Sequence, residues 1–102
     1  MAKREIVWTE TAAKQRREIL GYWTARNKST VYAEKLIKLI AVRIKVISTH
    51  PESYKMTIYP ETRISAMGHF SILYKFNQQK IIVTAFWDNR QDPKKLLEII
   101  KP

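Results

Sequence analysis

The spacing of apolar residues changes part-way along the chain, and this change limits the folds that it can adopt. Between residues 10 and 50, apolar side chains recur about every three to four positions, which is typical of amphipathic helices. Between residues 63 and 87 they alternate or run continuously, which is typical of strands. Pro51 and Pro60 lie between the two regions. The sequence therefore predicts helices followed by a sheet, an α+β fold.

The first region predicts a strand at residues 5–8 and then two helices. Thr9 has the side chain of an N-cap, and Glu10 places an acid in the first turn. The first helix is expected to end near residues 26–29, and Pro51 ends the second because proline disfavours helical geometry at the preceding residue. The second helix has an apolar stripe of Ala33, Leu36, Ile37, Ile40, Ile44 and Ile47. Helices joined by so few residues form an antiparallel hairpin.

The second region predicts a three-stranded antiparallel meander. A strand at 63–66 reaches Gly68, which adopts turn geometry without steric cost. The next strand spans 69–76, and a loop at 77–80 leads into the apolar run 81–87, which has the composition of a central strand covered on both faces.

Asp92 and Pro93 then mark the start of a short C-terminal helix, with Asp as N-cap and Pro at the first helical position. Leu96 lies on its apolar side. Because no Pro/Gly-rich stretch or internal repeat divides the chain, residues 1–102 are expected to form a single domain.

The chain is strongly basic, with 19 Lys and Arg against 9 Asp and Glu and a net charge of +10. Up to Ser48 there are eleven basic and four acidic residues, and after it eight and five, so the excess is concentrated in the first half. This asymmetry predicts a basic face that binds nucleic acid or an acidic protein, although a merely solvated surface would also account for it.

The composition also excludes several kinds of chemistry. Without cysteine, the chain can form no disulfide, Cys-ligated zinc site or thiol nucleophile, and a reducing cytoplasm is the expected location. No window approaches the ~18 apolar residues of a membrane span. We therefore expect no membrane insertion or secretion, and no metal, cofactor or small-molecule substrate.

Three stretches of this chain resemble the RelE/ParE toxin superfamily: residues 6–9 before the alanines at 12–13, residues 68–74, and residues 86–93. The last stretch, an apolar strand followed by a polar pair, Arg and Asp-Pro, is the most specific. The resemblance covers nearly the whole chain. It implies a toxin that arrests growth and is neutralised by a cognate antitoxin, which the charge of this chain predicts to be acidic. Members of the superfamily act mainly as ribosome-dependent mRNA endonucleases or as inhibitors of DNA gyrase.

Two departures from the nuclease pattern favour the gyrase branch. Ser71 stands where nuclease members commonly carry arginine, and an apolar residue near Leu96 stands where they place a tyrosine. The first hypothesis is a toxin that poisons gyrase or another essential machine by binding. The alternatives are a metal-independent, ribosome-dependent endoribonuclease and a basic nucleic-acid-binding module.

Arg90 is the leading candidate for a functional side chain. A guanidinium offers paired donors that match phosphate oxygens, and the resemblance puts an arginine here in nuclease members. Asp88 and Asn89 could orient it towards an anionic ligand. The alternative is a structural ion pair with Asp88 or Asp92. As a surface residue, Arg90 should be replaceable by Ala within ~0.5 kcal/mol of stability, with loss of growth arrest.

If the chain is a nuclease, Arg90, Arg63 and His69 are the expected catalytic set, because cleavage by a 2′-hydroxyl needs a base, an acid and cations. Histidine is a common general base, which makes His69 a candidate, but a histidine beside a turn is more often only solvated. Lys75 could bind the target or simply be solvated. For Tyr74, which alternates with apolar residues, core packing outweighs chemistry.

The antitoxin is expected to place a helix on the sheet or the helical hairpin. Trp8, Trp23 and Trp87 are the expected apolar contacts, and Arg16 and Arg17 would meet its acidic side chains. The alternative for Trp8 and Trp87 is ordinary core packing.

Overall fold

The structure, a computed structural model, describes residues 4–91. The helix that the sequence predicts from Asp92 onward lies outside the described residues. In chain order the elements are β1 (Glu5–Trp8), α1 (Glu10–Asn27), α2 (Val31–Thr49), a 3₁₀ turn (Pro51–Ser53), β2 (Lys55–Met56), β3 (Arg63–Met67), β4 (Phe70–Phe76) and β5 (Lys80–Asp88). The predicted α+β class is confirmed.

The strands form one five-stranded sheet in the order β1-β5-β4-β3-β2. The predicted meander is present, because β4 pairs antiparallel with both β3 and β5. The three-stranded prediction was incomplete, however. β1 joins the same sheet as a parallel neighbour of β5, from Glu5 opposite Lys80 to Trp8 opposite Val83. The two-residue strand β2 adds the other edge, and its exposed residues carry no alternating pattern that would predict it.

The helix boundaries follow from the residues that the sequence indicated. Thr9 caps α1, since its Oγ1 accepts a hydrogen bond from the N–H of Ala12 at 3.1 Å. Lys28 ends α1 in the left-handed conformation, with φ of 52°. His50 follows α2 directly and donates its backbone N–H to the carbonyl of Val46, so that Pro51 lies just beyond the helix. Neither described helix has the length and apolar character of a membrane span.

Both helices pack on one face of the sheet. The buried core there comprises Ala12, Ile19, Leu36, Ile40, Ile44, Ile47, Met67, Phe70, Ile72, Tyr74, Ile81, Val83 and Phe86. Core packing of Tyr74 is confirmed: its hydroxyl donates to the carbonyl of Pro51 at 2.6 Å, and burial raises its pKa to about 12.

One residue was wrongly included in the predicted stripe of α2. Ile37 is 51% exposed, whereas its neighbour Leu36 is 2% exposed. Successive helical residues point about 100° apart, because a turn holds about 3.6 residues. Only one of the two can therefore face the sheet, and Ile37 faces the groove beside α1 instead.

Candidate functional site

Arg90, just beyond the end of β5, is held by an ion pair with Asp88. Its Nε donates to Oδ1 of Asp88 at 2.9 Å and its Nη2 to Oδ2 at 2.8 Å, while the backbone N–H of Arg90 also donates to Oδ1. The guanidinium carbon lies 5.0 Å from the ring centroid of Trp23 and 5.7 Å from that of Phe70. The side chain is thus fixed by one carboxylate and two aromatic rings.

The two charges stabilise each other. The hydrogen bonds from Arg90 lower the pKa of Asp88 below its usual range, and burial opposes this shift less strongly. The bond to Asp88 in turn raises the pKa of Arg90. The Asp88 side chain is only 11% exposed, but that of Arg90 is 43% exposed, and its Nη1 has no hydrogen-bond partner within residues 4–91. Arg90 is therefore anchored and still presents one nitrogen to solvent.

His69 and Asn89 lie beside this pair, at the same end of the sheet. The N–H of Asn89 donates to the carbonyl of His69 at 2.7 Å, which joins the β3–β4 turn to the end of β5. The Oδ1 of Asn89 accepts a hydrogen bond from Ser71 at 2.8 Å. His69 is exposed. Asp88, Asn89, His69 and Arg90 thus form one cluster, the β5-end cluster.

Arg63 and Lys75, which the sequence also indicated as candidate site residues, lie near the other end of β4. Arg63 is opposite Tyr74, and Lys75 is the next residue on that strand. Phe70, opposite Asp88, is four residues away along β4. At about 3.3 Å per residue, that separation is roughly 13 Å.

Arg63 is also engaged in structural contacts. Its Nη1 donates to the carbonyls of Glu52 and Tyr54, at 3.1 and 2.7 Å. These bonds tie the segment after α2 to β3. Of the three residues expected in a nuclease site, His69 and Arg90 are therefore brought together and Arg63 is not.

A groove of about 750 Å³ runs between α1, α2 and β1. We call it the hairpin groove. Its apolar lining comprises Ile6, Trp8, Leu20, Ile37, Ile40, Ala41 and Ile44, and its basic lining comprises Arg4, Arg16, Arg17 and Lys45. The guanidinium carbon of Arg16 lies 4.1 Å from the ring centroid of Trp8. The groove thus combines an apolar surface with four cationic side chains.

A second groove, of about 570 Å³, lies between α1 and the last residues of β5. We call it the β5-edge groove. Trp23, Arg26 and Arg90 contribute to it, as does the buried side chain of Gln15. Among the described residues, no group of three or more His, Asp or Glu side chains is arranged to hold a metal ion.

Comparison with known proteins decides the family. The family model described as ParE toxin of type II toxin-antitoxin system, parDE, matches residues 6–93. The chain belongs to the ParE toxin family. It is therefore the toxin of a type II toxin–antitoxin system and has an antitoxin as its partner, and the superfamily predicted from the sequence is confirmed.

A solved structure supports the fold of the toxin independently. A chain of the chromosomal ParDE TA system from P. aeruginosa matches with a TM-score of 0.71 at 16% sequence identity, covering 84% of this toxin and 96% of that chain. At this identity the likeness shows the fold. No curated protein matches the toxin.

The residues that the sequence proposed for antitoxin binding line the two grooves of the toxin, and Trp87 lines the β5-edge groove together with Trp23. Trp8, Arg16 and Arg17 meet in the hairpin groove. Trp23 lies in the β5-edge groove and is half-buried between other aromatic rings. Trp87 is only 6% exposed, which leaves little of its surface for a partner.

Sequence reasoning missed several residues of the two grooves in the toxin. Arg4 and Lys45 gave no local signal, because they reach the hairpin groove only through tertiary packing. Gln15 did give a local signal, because it lies three residues after Ala12 and four before Ile19, on the apolar side of α1. A polar residue at that position indicates a buried hydrogen bond.

Proposed function

We propose that this toxin arrests growth by binding DNA gyrase through the β5-end cluster. Two features support binding by this cluster. Arg90 keeps an exposed part of its guanidinium in a fixed orientation, and exposed His69 lies on the adjoining turn. A pre-oriented guanidinium binds a carboxylate or phosphate at a lower entropic cost than a flexible one.

The separation of Arg63 from this cluster is the observation that most favours binding over RNA cleavage. General acid–base catalysis needs proton donors and acceptors within reach of one reacting group. Arg63 is roughly 13 Å away along the sheet by the spacing of strand residues and is bonded to two main-chain carbonyls. It would have to leave those carbonyls to join His69 and Arg90.

The clear pKa shifts among the described residues fall on three groups that keep their charge state at neutral pH. Burial raises the pKa of Tyr74 to about 12, so its hydroxyl stays protonated at neutral pH. Hydrogen bonding to Arg90 lowers the pKa of Asp88, and the same bond raises that of Arg90, so both remain charged. An efficient acid or base has a pKa near the working pH, and these three groups are shifted away from it.

We also propose that the hairpin groove receives an acidic amphipathic helix of the antitoxin. The apolar lining around Trp8 fits the apolar face of such a helix, and Arg4, Arg16, Arg17 and Lys45 fit acidic residues along its borders. The net charge of +10 favours encounter with an acidic partner. An antitoxin bound in the hairpin groove neutralises the toxin if another part of its chain covers the β5-end cluster and blocks the approach of gyrase.

Transcript mapping after induced expression separates binding from cleavage. Primer extension on abundant messages should show intact transcripts, while plasmid DNA from the same cells loses negative supercoiling. Induction of the Arg90→Ala variant is the matched control. Discrete cuts within translated codons would instead support a ribosome-dependent endoribonuclease, in which His69 and Arg90 would be the residues to examine first.

A further inference from the structure

The edge of β5 on the side of β1 is covered by a strand only along its first half. β1 ends at Trp8, opposite Val83, and the N–H of Thr9 donates to the carbonyl of Val83 at 3.0 Å. Thr84 then forms a bulge, since it has no partner in β4. Beyond the bulge, no strand among the described residues continues the row that β1 began.

The backbone alternation shows which groups face the open half of this edge. The N–H of Asn89 donates to His69 across the sheet, so in an antiparallel ladder the N–H and C=O of Trp87 also point towards β4. The N–H and C=O groups of Phe86 and Asp88 then point away from β4. The N–H of Phe86 confirms this direction, because it donates to Oε1 of Gln15 on α1 at 2.9 Å. The C=O of Phe86 and the N–H of Asp88 therefore face the β5-edge groove.

The groove beside this edge has the dimensions of a short strand. One stripe of α1 lines it from Gln15 to Arg26, a length of roughly 16 Å at about 1.5 Å per helical residue. About five residues of extended chain would span that length at about 3.3 Å each. Its volume is about 570 Å³.

A buried side chain adds a third unused polar group. Gln15 is 8% exposed, and its Oε1 is engaged by Phe86. Its Nε2 is buried and has no hydrogen-bond partner among the described residues. Buried polar groups are normally paired, so this amide donor beside the open strand edge indicates a missing acceptor.

We propose that the β5-edge groove binds a short extended segment of the antitoxin, which adds to β5 as a strand beyond the end of β1. A peptide is the occupant because only a main chain offers a donor and an acceptor at the spacing of Phe86 and Asp88. One apolar side chain of the segment packs on Trp23 and Tyr22, and an acidic one meets Arg26, at the end of the groove remote from Glu18.

This segment is separate from the helix proposed for the hairpin groove, since the two grooves lie on different sides of α1. Arg16 and Leu20 line one, and Gln15 and Ile19 line the other. The inference rests on the proposed binding of an acidic antitoxin. It adds a second attachment point, which would bring the antitoxin over Arg90.

Amide hydrogen exchange, measured by NMR on labelled toxin alone and in complex with the antitoxin encoded beside it, tests the strand. In the free toxin the Asp88 amide should exchange rapidly, while that of Phe86, bonded to Gln15, is slow. In the complex the Asp88 amide should slow at least 100-fold, and the Trp87 amide, within the β4–β5 ladder, should change little. An Asp88 amide that is already slow in the free toxin, or stays fast in the complex, overturns the inference.

A matched pair of variants links the strand to affinity. Tyr22→Glu places a negative charge beside Arg26 in the groove and should weaken the complex about tenfold and remove the protection of Asp88. Ala25→Glu makes the same charge change at an exposed position of α1 outside both grooves and should do neither. Equal effects of the two variants contradict the strand. Failure of unaltered toxin to bind the antitoxin would contradict the hairpin-groove proposal as well, whereas binding without Asp88 protection contradicts the strand alone.

Discussion

The hairpin groove and the β5-end cluster both place an arginine over a tryptophan, but they differ in what neutralises its charge. Arg16 lies over Trp8, and no carboxylate of residues 4–91 forms an ion pair with it. Arg90 lies over Trp23 and is bound through two nitrogens to Asp88. The charge of Arg16 is thus available to a partner, whereas that of Arg90 is already paired with Asp88, and only the rest of its guanidinium is exposed.

The role of an arginine in this toxin therefore depends on its neighbours and not on the residue type alone. A carboxylate two residues away anchors Arg90, although its side chain is still 43% exposed. Arg16 and Arg17 form no ion pair among residues 4–91 and line the hairpin groove. The two regions should therefore respond differently to substitution: changes in the hairpin groove should alter affinity for the antitoxin, whereas changes in the β5-end cluster should alter stability as well as growth arrest.

The largest effect is expected from charge reversal in the hairpin groove. The double variant Arg16→Glu, Arg17→Glu should weaken antitoxin binding about 100-fold, or about 2.7 kcal/mol, by turning attraction into repulsion. Lys35→Glu with Lys38→Glu makes the same charge change on α2 outside the groove and should weaken binding much less. Calorimetric titration at constant salt measures both. Equal losses would show that only net charge matters.

Removal of Arg90 should have the next largest effect, on stability. Arg90→Ala leaves the Asp88 carboxylate, whose side chain is 11% exposed, without its guanidinium, and this should lower the melting temperature by several degrees. Loss of a side chain without such a partner would lower it less. A melting temperature within about two degrees of that of the unaltered toxin would mean that the pair contributes little.

Asp88→Asn separates the structural role of this pair from a functional one. It removes the carboxylate that orients Arg90 but leaves the guanidinium charged, so it should destabilise the toxin and weaken growth arrest without abolishing it. Arg90→Ala should destabilise it and abolish growth arrest at a temperature where both variants remain folded. If both variants stay toxic, the guanidinium serves only the fold, and the target-binding role of Arg90 is wrong.

The pH dependence of stability should carry the signature of Asp88. Its pKa is lowered in the folded state from the ordinary value of 3.8, so the stabilisation is complete above that value and is lost as pH falls through the folded pKa. In urea unfolding, the stability difference between the unaltered toxin and Asp88→Asn should be constant from about pH 5 to about pH 8. It should shrink below about pH 4. A stability difference that grows as the pH falls would contradict the stabilising role of the ionised Asp88.

The smallest effect is expected for loss of the Arg16 side chain. Arg16→Ala removes a cation–π contact over Trp8 and should cost about 0.5–1 kcal/mol of stability. Thermal unfolding of the Arg16→Ala and Arg90→Ala variants, measured side by side, compares the two losses of stability. A loss for Arg16→Ala as large as that for Arg90→Ala would remove the distinction between the two regions.

Sequence patterns predicted most of the elements because local chemistry determines them. The hydroxyl of Thr9, the ring of Pro51 and the turn at Gly68, with φ of 63°, each act on adjacent residues. The parallel pairing of β1 with β5 depends on residues more than 70 positions apart, as from Glu5 to Lys80, and no local pattern encodes it. The two-residue strand β2 is too short to show periodicity.

The candidate sites were predictable only in part, for a similar reason. Clustering of Asp88, Asn89 and Arg90 follows from their adjacency in the chain. Whether Arg90 pairs with Asp88 or extends into solvent depends on the rings of Trp23 and Phe70, which only the folded chain brings together. The open half of the β5 edge depends on where β1 ends and on the bulge at Thr84, neither of which composition reveals.

Purified DNA gyrase shows whether the toxin acts by binding to it. Gyrase, ATP and relaxed plasmid are incubated with increasing toxin, with Arg90→Ala toxin, and with toxin premixed with its antitoxin. Supercoiling should stop at toxin concentrations near that of the enzyme, continue with Arg90→Ala, and recover with the antitoxin. Complete supercoiling in the presence of a large excess of folded toxin would show that gyrase is not its target.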